Sequence, residues 1–425
     1  MVEEKVILQV LAEQKDEVEK YKHQQWISRK EEQLFEFESN LAQVVIGVRR
    51  CGKSTLCHKV LKERKIKYAY ANLDDDRMAS MQAEDLNTLL SCIYQTYGTD
   101  VKYIFFDEIQ NVDGWHLLVN RLLRTDVHVF VTGSNAKLLS GELSTYLTGR
   151  YNEIHLYPFS FSEYCTYNKI DKTSITTKAE SERKQALAEY LNEGGFPEIQ
   201  SLRNKRGYVQ SLLDAVLNKD IQQRFNIRNV DALRKIAYML ISNACQTVNY
   251  EEMSTVLDMT GKTIKKYVDY LQQAFIVQLL PKFSYKSRDR IVGEKSYVVD
   301  TGIENNINYS MAGENIGWRL ENVVYIELMR RCSKYFQDIY YYKPSSRAKE
   351  VDFVVCSQNK PVELIQVAFD IEKKKAFDRE TSALLKASED LHCNNLTLIA
   401  FSPSRKIEID GKEIHIYSAI DWLLQ

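Results

Sequence analysis

The run Gly47-Val48-Arg49-Arg50-Cys51-Gly52-Lys53-Ser54 restricts what this chain can fold into more than any other feature. It fits G-x-x-x-x-G-K-[ST], follows the apolar run VVI and opens the helix-forming run STLCHKVL, so strand, loop and helix come in the order the motif requires. Glycines at these positions let backbone N–H groups wrap phosphates, and the start of the helix favours their negative charge. Lys53 is expected to reach the β- and γ-phosphates of ATP and Ser54 to ligate magnesium. Val48, Arg49, Arg50, Cys51 and Thr55 complete the nucleotide-binding run.

A second string fixes the class of chemistry. The strand-like YIFF runs straight into Asp107-Glu108, and acids at the end of a buried strand face the phosphate crevice of an open parallel sheet. Asp107 is expected to hold magnesium through its water shell, and Glu108 to orient or deprotonate the attacking water. The run VHVFVTGS ends in Ser134 and Asn135, placed either to sense the γ-phosphate and align the water or to cap the helix AKLLSGEL. Asn72, at the end of KYAYANLD, is similarly placed, or caps a turn. Five β-rich runs, starting near 41, 67, 101, 127 and 151, alternate with helical stretches and predict a mostly parallel sheet covered on both faces.

At 425 residues the chain exceeds one core and suits roughly three modest domains. Along it we read a helical segment at 1–40, a P-loop core at 41–160, a helical lid at 161–229, a winged helix-turn-helix at 230–290 and a separate α/β domain at 291–425. The formal net charge of −1 draws the whole toward neither nucleic acid nor anionic lipid, so any such partner must meet a local patch. Eight cysteines, none in a Cys-x-x-Cys pair, predict buried thiols rather than a metal site. The start MVEEKVILQVLAEQKDEVEKYK has no signal-peptide character, and no run of about 18 apolar residues exists, so the chain is expected in the cytoplasm and off the membrane.

These residues resemble the AAA+ branch of P-loop ATPases. More closely, GVRRCGKST, NLDDDR, FFDEIQNVDGW, VTGSNAKLLSGELSTYLTGR, LYPFSFSEY and GGFPE resemble a widespread bacterial family that joins this ATPase to a C-terminal domain of unknown function. The resemblance implies that Ser134 or Asn135 acts as a sensor of the γ-phosphate and that Asn72 couples Glu108 to a remote ligand. It also implies that Arg150, directly before YNEIHLYP, enters a neighbouring subunit as an arginine finger, which calls for a ring or other homo-oligomer. The other reading of Arg150 is an ion pair with an acid such as Glu153.

In EEMSTVLDMTGKTIKKYVDYLQQAFIV, Met253, Val256, Leu257, Ile264, Tyr267, Val268 and Leu271 supply a core stripe at helical spacing. Lys262, Lys265 and Lys266 lie on the other face, followed by Lys282, Lys286, Arg288 and Arg290 in the expected wing. Together they form a candidate surface for double- or single-stranded DNA, weakened by Asp269 and Asp289. The tail places Glu321 on a helix, Asp352 on a strand and Gln366 on the next strand. That order resembles the restriction-endonuclease-like fold, in which the last strand carries Glu-x-Lys. Here Gln366 and Ala368 stand in those places, and Glu363 points to the opposite strand face. The loss of a ligand charge and of the lysine implies a degenerate nuclease site. The fold class is therefore α/β, an AAA+ core with lid, winged helix and nuclease-like domain. The function expected is ATP hydrolysis coupled to DNA binding, translocation or remodelling. The alternatives are a nucleotide-gated signalling or defence switch acting through protein partners, and an ATP-driven nuclease.

Overall fold

Val44, Val45 and Ile46 are fully buried in strand β1 (Ala42–Ile46), and a strand apolar on both faces needs partners on either side. In the computed structural model, which describes residues 2–21, 24–134, 146–286, 293–307, 316–335, 337–345 and 347–425, β4 (His128–Gly133) and β5 (Tyr151–His155) flank β1 in parallel. With β2 (Ala69–Asn72) and β3 (Tyr103–Asp107) the sheet order is β2-β3-β4-β1-β5, every pairing parallel. Helices α2 (Lys53–Glu63), α3 (Leu86–Tyr97) and α4 (Trp115–Leu123) make the crossovers between the first four strands. The jump from β1 past two strand positions to β2 gathers the carboxyl ends of β1, β3 and β4 around one crevice, where open α/β sheets bind ligands.

Helix α1 (Glu4–Tyr21) covers α3 and β2 with Ile7, Val10, Leu11 and Gln14. Val6 and Leu8, at the edges of this face, are only half-buried, because the helical stripe runs through 7, 10, 11 and 14. The Gln14 amide grips the backbone of Asn72 from both ends, at 3.0 and 2.9 Å. Contacts divide the chain into two units, 1–156 with 273–275, and 157–272 with 276–425.

The second unit begins with α5 (Phe161–Tyr167), α6 (Thr177–Glu193) and α7 (Lys205–Ala215), the last continued by a π-helical run Val216–Gln223. Next come α8 (Val230–Ser242), α9 (Tyr250–Leu257) and α10 (Gly261–Gln273), then β6 (Val277–Leu280) antiparallel to β7 (Lys295–Val298). Helix α10 buries Ile264, Val268 and Leu271 and exposes Lys262, Lys265 and Lys266. Val256 departs from the expected core stripe, being 65% exposed. Helix α9 stops one residue later, where Asp258 turns left-handed (φ 51°), and two turns of helix bury only Met253 fully.

The GGFPE signature has a packing explanation. Gly194 sits at φ 79°, and a Cβ there would meet Asp300 Oδ1 at 1.8 Å. Asp300 accepts from the N–H groups of Gly195 and Gly302 at 2.7 and 2.9 Å, tying the turn to α11 (Thr301–Asn306). On the same short helix Glu304 is 1% exposed, and burial pushes its carboxyl up to about 7 against the pull of Arg319. Between the ordinary carboxylate range and about 7, the folded chain thus retains a proton that the unfolded chain has released. Stability then falls as pH rises through that window. We expect Glu304→Gln to shrink the drop in melting temperature between about pH 5 and about pH 8, measured by circular dichroism. An unchanged drop would remove Glu304 as its source.

The C-terminal part runs α12 (Ile316–Tyr335), β8 (Asp338–Tyr342), β9 (Val351–Ser357), β10 (Lys360–Ala368), α13 (Lys374–Leu391), β11 (Leu396–Ala400), β12 (Arg405–Ile409), β13 (Lys412–Ser418) and α14 (Ala419–Leu424). Its six-stranded sheet has the order β12-β13-β11-β10-β9-β8. Strands β8, β9 and β10 meander antiparallel, and α13 carries the chain from β10 to a parallel β11. Val354, Leu364, Leu384, Leu398, Ile414 and Ile416 form the core between sheet and helix.

Candidate functional site

The loop after β1 is shaped by backbone constraints before any side chain acts. Gly47 has φ 150°, and a Cβ there would lie 2.1 Å from the carbonyl oxygen of Leu156. Arg50 is left-handed (φ 66°), and Gly52 (φ 104°) delivers the chain into α2. Lys53, the first residue of that helix, is 4% exposed; its ammonium donates to the carbonyls of Gly47 at 3.1 Å and Val48 at 3.3 Å. The same ammonium stands 3.7 Å from Glu108 Oε1. Ser54 Oγ donates to Asp107 Oδ1 at 2.9 Å, while Thr55 is exposed on the first turn of α2. Arg49 reaches Asp74 at 3.6 Å, and buried Cys51 offers its carbonyl to the buried guanidinium of Arg29 at 3.3 Å.

The two acids are held differently. Asp107 ends β3 fully enclosed and receives three hydroxyls, from Ser54 (2.9 Å), Tyr70 (2.9 Å) and Thr132. Burial, then the neighbouring Glu108, push its carboxyl above the ordinary range despite those donors. Glu108 is left-handed (φ 52°), which swings its side chain off the strand direction and toward the loop. Its Oε2 accepts from the Gln110 amide and from the backbone N–H and hydroxyl of Ser134, the latter two at 3.2 and 3.0 Å. Burial would raise this carboxyl, but Lys53, Gln110, Arg49 and Ser134 outweigh it and hold it below the usual value. Side by side, the two carboxyls are pushed in opposite directions, Asp107 up and Glu108 down, which suits Glu108 to the role of base. Ser54 Oγ and Asp107 Oδ1 are hard oxygen donors side by side at the foot of the loop, a pair that suits magnesium completing its shell with phosphate and water.

Of the residues singled out in the sequence, the structure brings Lys53, Ser54, Asp107, Glu108 and Ser134 together. Asn135 lies outside the described residues, as do Arg288 and Arg290. Asn72 makes no hydrogen bond to Glu108 among the described residues, and its Oδ1 accepts the N–H of Asp74 at 2.9 Å and caps a turn. Arg150 is exposed and forms no ion pair with Glu153 or any other acid among the described residues. Sequence reading missed Tyr70, Thr132, Gln110 and Arg29. A tyrosine and a threonine within buried strands beside β3 were the available signal for the first two, because a buried hydroxyl needs a partner. Arg29 stands outside any motif.

In the tail, a cavity of about 480 Å³ is lined by Glu321, Glu350, Asp352, Gln366, Arg379 and Glu380 among others. Glu321, Asp352 and Gln366 therefore do converge, whereas Glu363 lines a different cavity and accepts from Thr397 at 2.7 Å. The residue that organises the acids is Lys295, on β7. Its ammonium, 4% exposed as a residue, lies 3.0 Å from Glu321, 2.6 Å from Glu350 and 3.9 Å from Asp352. Burial would lower that ammonium, but Glu321, Asp352 and Glu350 hold it well above its ordinary range. The Asp352 carboxyl goes up, burial and Glu321 outweighing the more distant Lys295. Gln366 is tied to Asp352 N–H at 3.3 Å and to Glu380 at 2.8 Å.

A parallel sheet in this strand order, with its phosphate loop and acids at adjoining strand ends, belongs to the AAA-type P-loop ATPases. A family profile described as an AAA domain matches residues 39–165, and two described as domains of unknown function (DUF8612 and DUF4143) match 184–312 and 317–416. An uncharacterized protein of Methanocaldococcus jannaschii is 32% identical over 388 residues, spanning 88% of this chain and 86% of its own. An uncharacterized protein of Haemophilus influenzae is 31% identical over 412 residues, 93% of this chain and 97% of its own. The chain belongs to the family that these proteins share. Among solved structures it is similar to the Thermotoga maritima RuvB Holliday junction branch migration motor (17% identity, 57% of this chain, 82% of that one, TM-score 0.26). It is also similar to AMPPCP-bound DnaA from Aquifex aeolicus (15%, 60% and 86%, TM-score 0.24). At such scores these likenesses decide nothing further. No helix among the described residues is long and apolar enough to cross a membrane.

Proposed function

We propose that this protein binds ATP with magnesium and hydrolyses it, as a homo-oligomer that couples turnover to DNA binding and to translocation or remodelling of the DNA. The observation that carries the hydrolytic half is Glu108, a carboxylate kept ionised beside the Lys53 ammonium at 3.7 Å. With a triphosphate in the loop, Lys53 exchanges two backbone carbonyls for phosphate oxygens, which are stronger, charge-assisted partners. Ser54 and Asp107 would hold magnesium, which would supply positive charge against the phosphates. Glu108 takes a proton from the attacking water as the water oxygen bonds to the γ-phosphorus. The bond to the β,γ-bridging oxygen breaks, and its electron pair leaves with ADP. Arg150, exposed and without an acidic partner among the described residues, is free to act in a neighbouring subunit's site.

For DNA, the supporting feature is α10, which exposes Lys262, Lys265 and Lys266 along one face, with Lys286 exposed further on. Three helices followed by an antiparallel strand pair suit a winged helix-turn-helix, whose third helix carries the contacts. We read the tail as a restriction-endonuclease-like domain that has lost cleavage. Lys295 gathers the acids that would otherwise attract a divalent ion, and no group of three or more metal-ligating side chains is poised for one among the described residues. Turnover measured with and without plasmid in magnesium tests this reading. DNA should stimulate it at low salt, the Lys262→Glu/Lys265→Glu/Lys266→Glu variant should lose that stimulation, and the plasmid should stay uncut. Turnover indifferent to DNA favours a nucleotide-gated switch acting on protein partners, and nicking sensitive to Asp352→Ala favours an ATP-driven nuclease.

A further inference from the structure

Resting on that hydrolytic reading, we propose that Gln110 is a positioning residue that decides which oxygen of Glu108 meets the attacking water. Three donors converge on Glu108 Oε2, the Gln110 amide together with the N–H and hydroxyl of Ser134. A carboxylate oxygen so loaded has little capacity left for another proton donor. Oε1 is the oxygen on the Lys53 side, and Lys53 marks the direction of the γ-phosphate. The water's proton therefore passes to Oε1, and Oε2 is the anchor.

Gln110 is there for Glu108 and not for the fold. The turn Ile109–Asn111, which follows the left-handed Glu108, folds the Gln110 side chain back over its neighbour. Its Nε2 donates to Glu108, while its Oε1, shielded from solvent, accepts from no group among the described residues. A side chain recruited for packing or turn formation would have its acceptor satisfied, since buried acceptors left unmade are costly. Among the described residues, the hydrogen bond this amide makes is the one that fixes the Glu108 carboxylate. Ser134 alone would hold Oε2 from one side and leave the carboxylate free to rotate about its last bond. A second donor from a different strand end removes that freedom, which is how a base is kept within reach of the attacking water.

Gln110→Met keeps the length and removes the amide. We expect kcat to fall at least tenfold, with the dissociation constant for ATP within about twofold of the parent. A structural role would not separate two complexes of the same protein, so ADP with beryllium fluoride, a mimic of the bound ground state, should bind the variant as it binds the parent. ADP with aluminium fluoride, which mimics the phosphoryl group with water in line, should bind it at least tenfold more weakly. The inference is overturned if kcat stays within twofold, or if both complexes and ATP weaken together. A parent protein that binds ATP and never hydrolyses it instead overturns the hydrolytic reading beneath it, an outcome distinct from the first two.

Discussion

Glu108→Gln is expected to cut ATP turnover by about a hundredfold to ten-thousandfold, the range lost with a positioned general base, while leaving ATP affinity intact or improved. The direction of the second effect follows from geometry. In the parent protein the Glu108 carboxylate competes for the Lys53 ammonium from 3.7 Å, and removing its charge frees that ammonium for phosphate. Glutamine fills the same volume and still offers an oxygen to Ser134 and Gln110, so the loop should keep its shape. Phosphate release checks the first effect and equilibrium binding the second. Turnover within about threefold of the parent would show that the water is activated elsewhere.

Lys53→Ala should act on the other quantity. A charged hydrogen bond contributes about 1.5–3 kcal/mol, so losing the ammonium's contacts to two phosphates should weaken ATP binding by about a hundredfold or more. The same change leaves the enclosed Glu108 without its cation, so its carboxyl should drift up toward the neutral form, and any ATP still bound should turn over slowly. Thermal melting of the variant separates this from unfolding, because among the described residues Lys53 bonds to two loop carbonyls and faces Glu108.

The parts of this site that were legible in the sequence are those written in consecutive residues. The loop from Gly47 to Thr55 and the pair Asp107-Glu108 carry their chemistry in strings, and the strands before them are continuous apolar runs. What could not be read depends on which strands become neighbours. The order β2-β3-β4-β1-β5 places Tyr70 of β2 and Thr132 of β4 on either side of Asp107, although they stand far apart in the chain. Lys295 was invisible for the same reason: a lysine opening a strand reads as solvated until Glu321, Glu350 and Asp352 arrive around it from a helix, a loop and another strand. Asn72 misled because strand-end position alone does not say where an amide points, and here its oxygen takes the Asp74 N–H two residues on. The hairpin of β12 and β13 was a different kind of miss. Alternating residues around Asp410-Gly411, both left-handed at φ 51° and 73°, were in plain view as a two-residue turn.

Calorimetric titration of magnesium and ATP into the purified protein and into Lys53→Ala bears most directly on the claim that this loop grips a triphosphate. The expected result is one nucleotide bound per chain by the parent and about a hundredfold weaker binding by the variant. Absence of binding in the parent, or equal affinity in the two proteins, would contradict it.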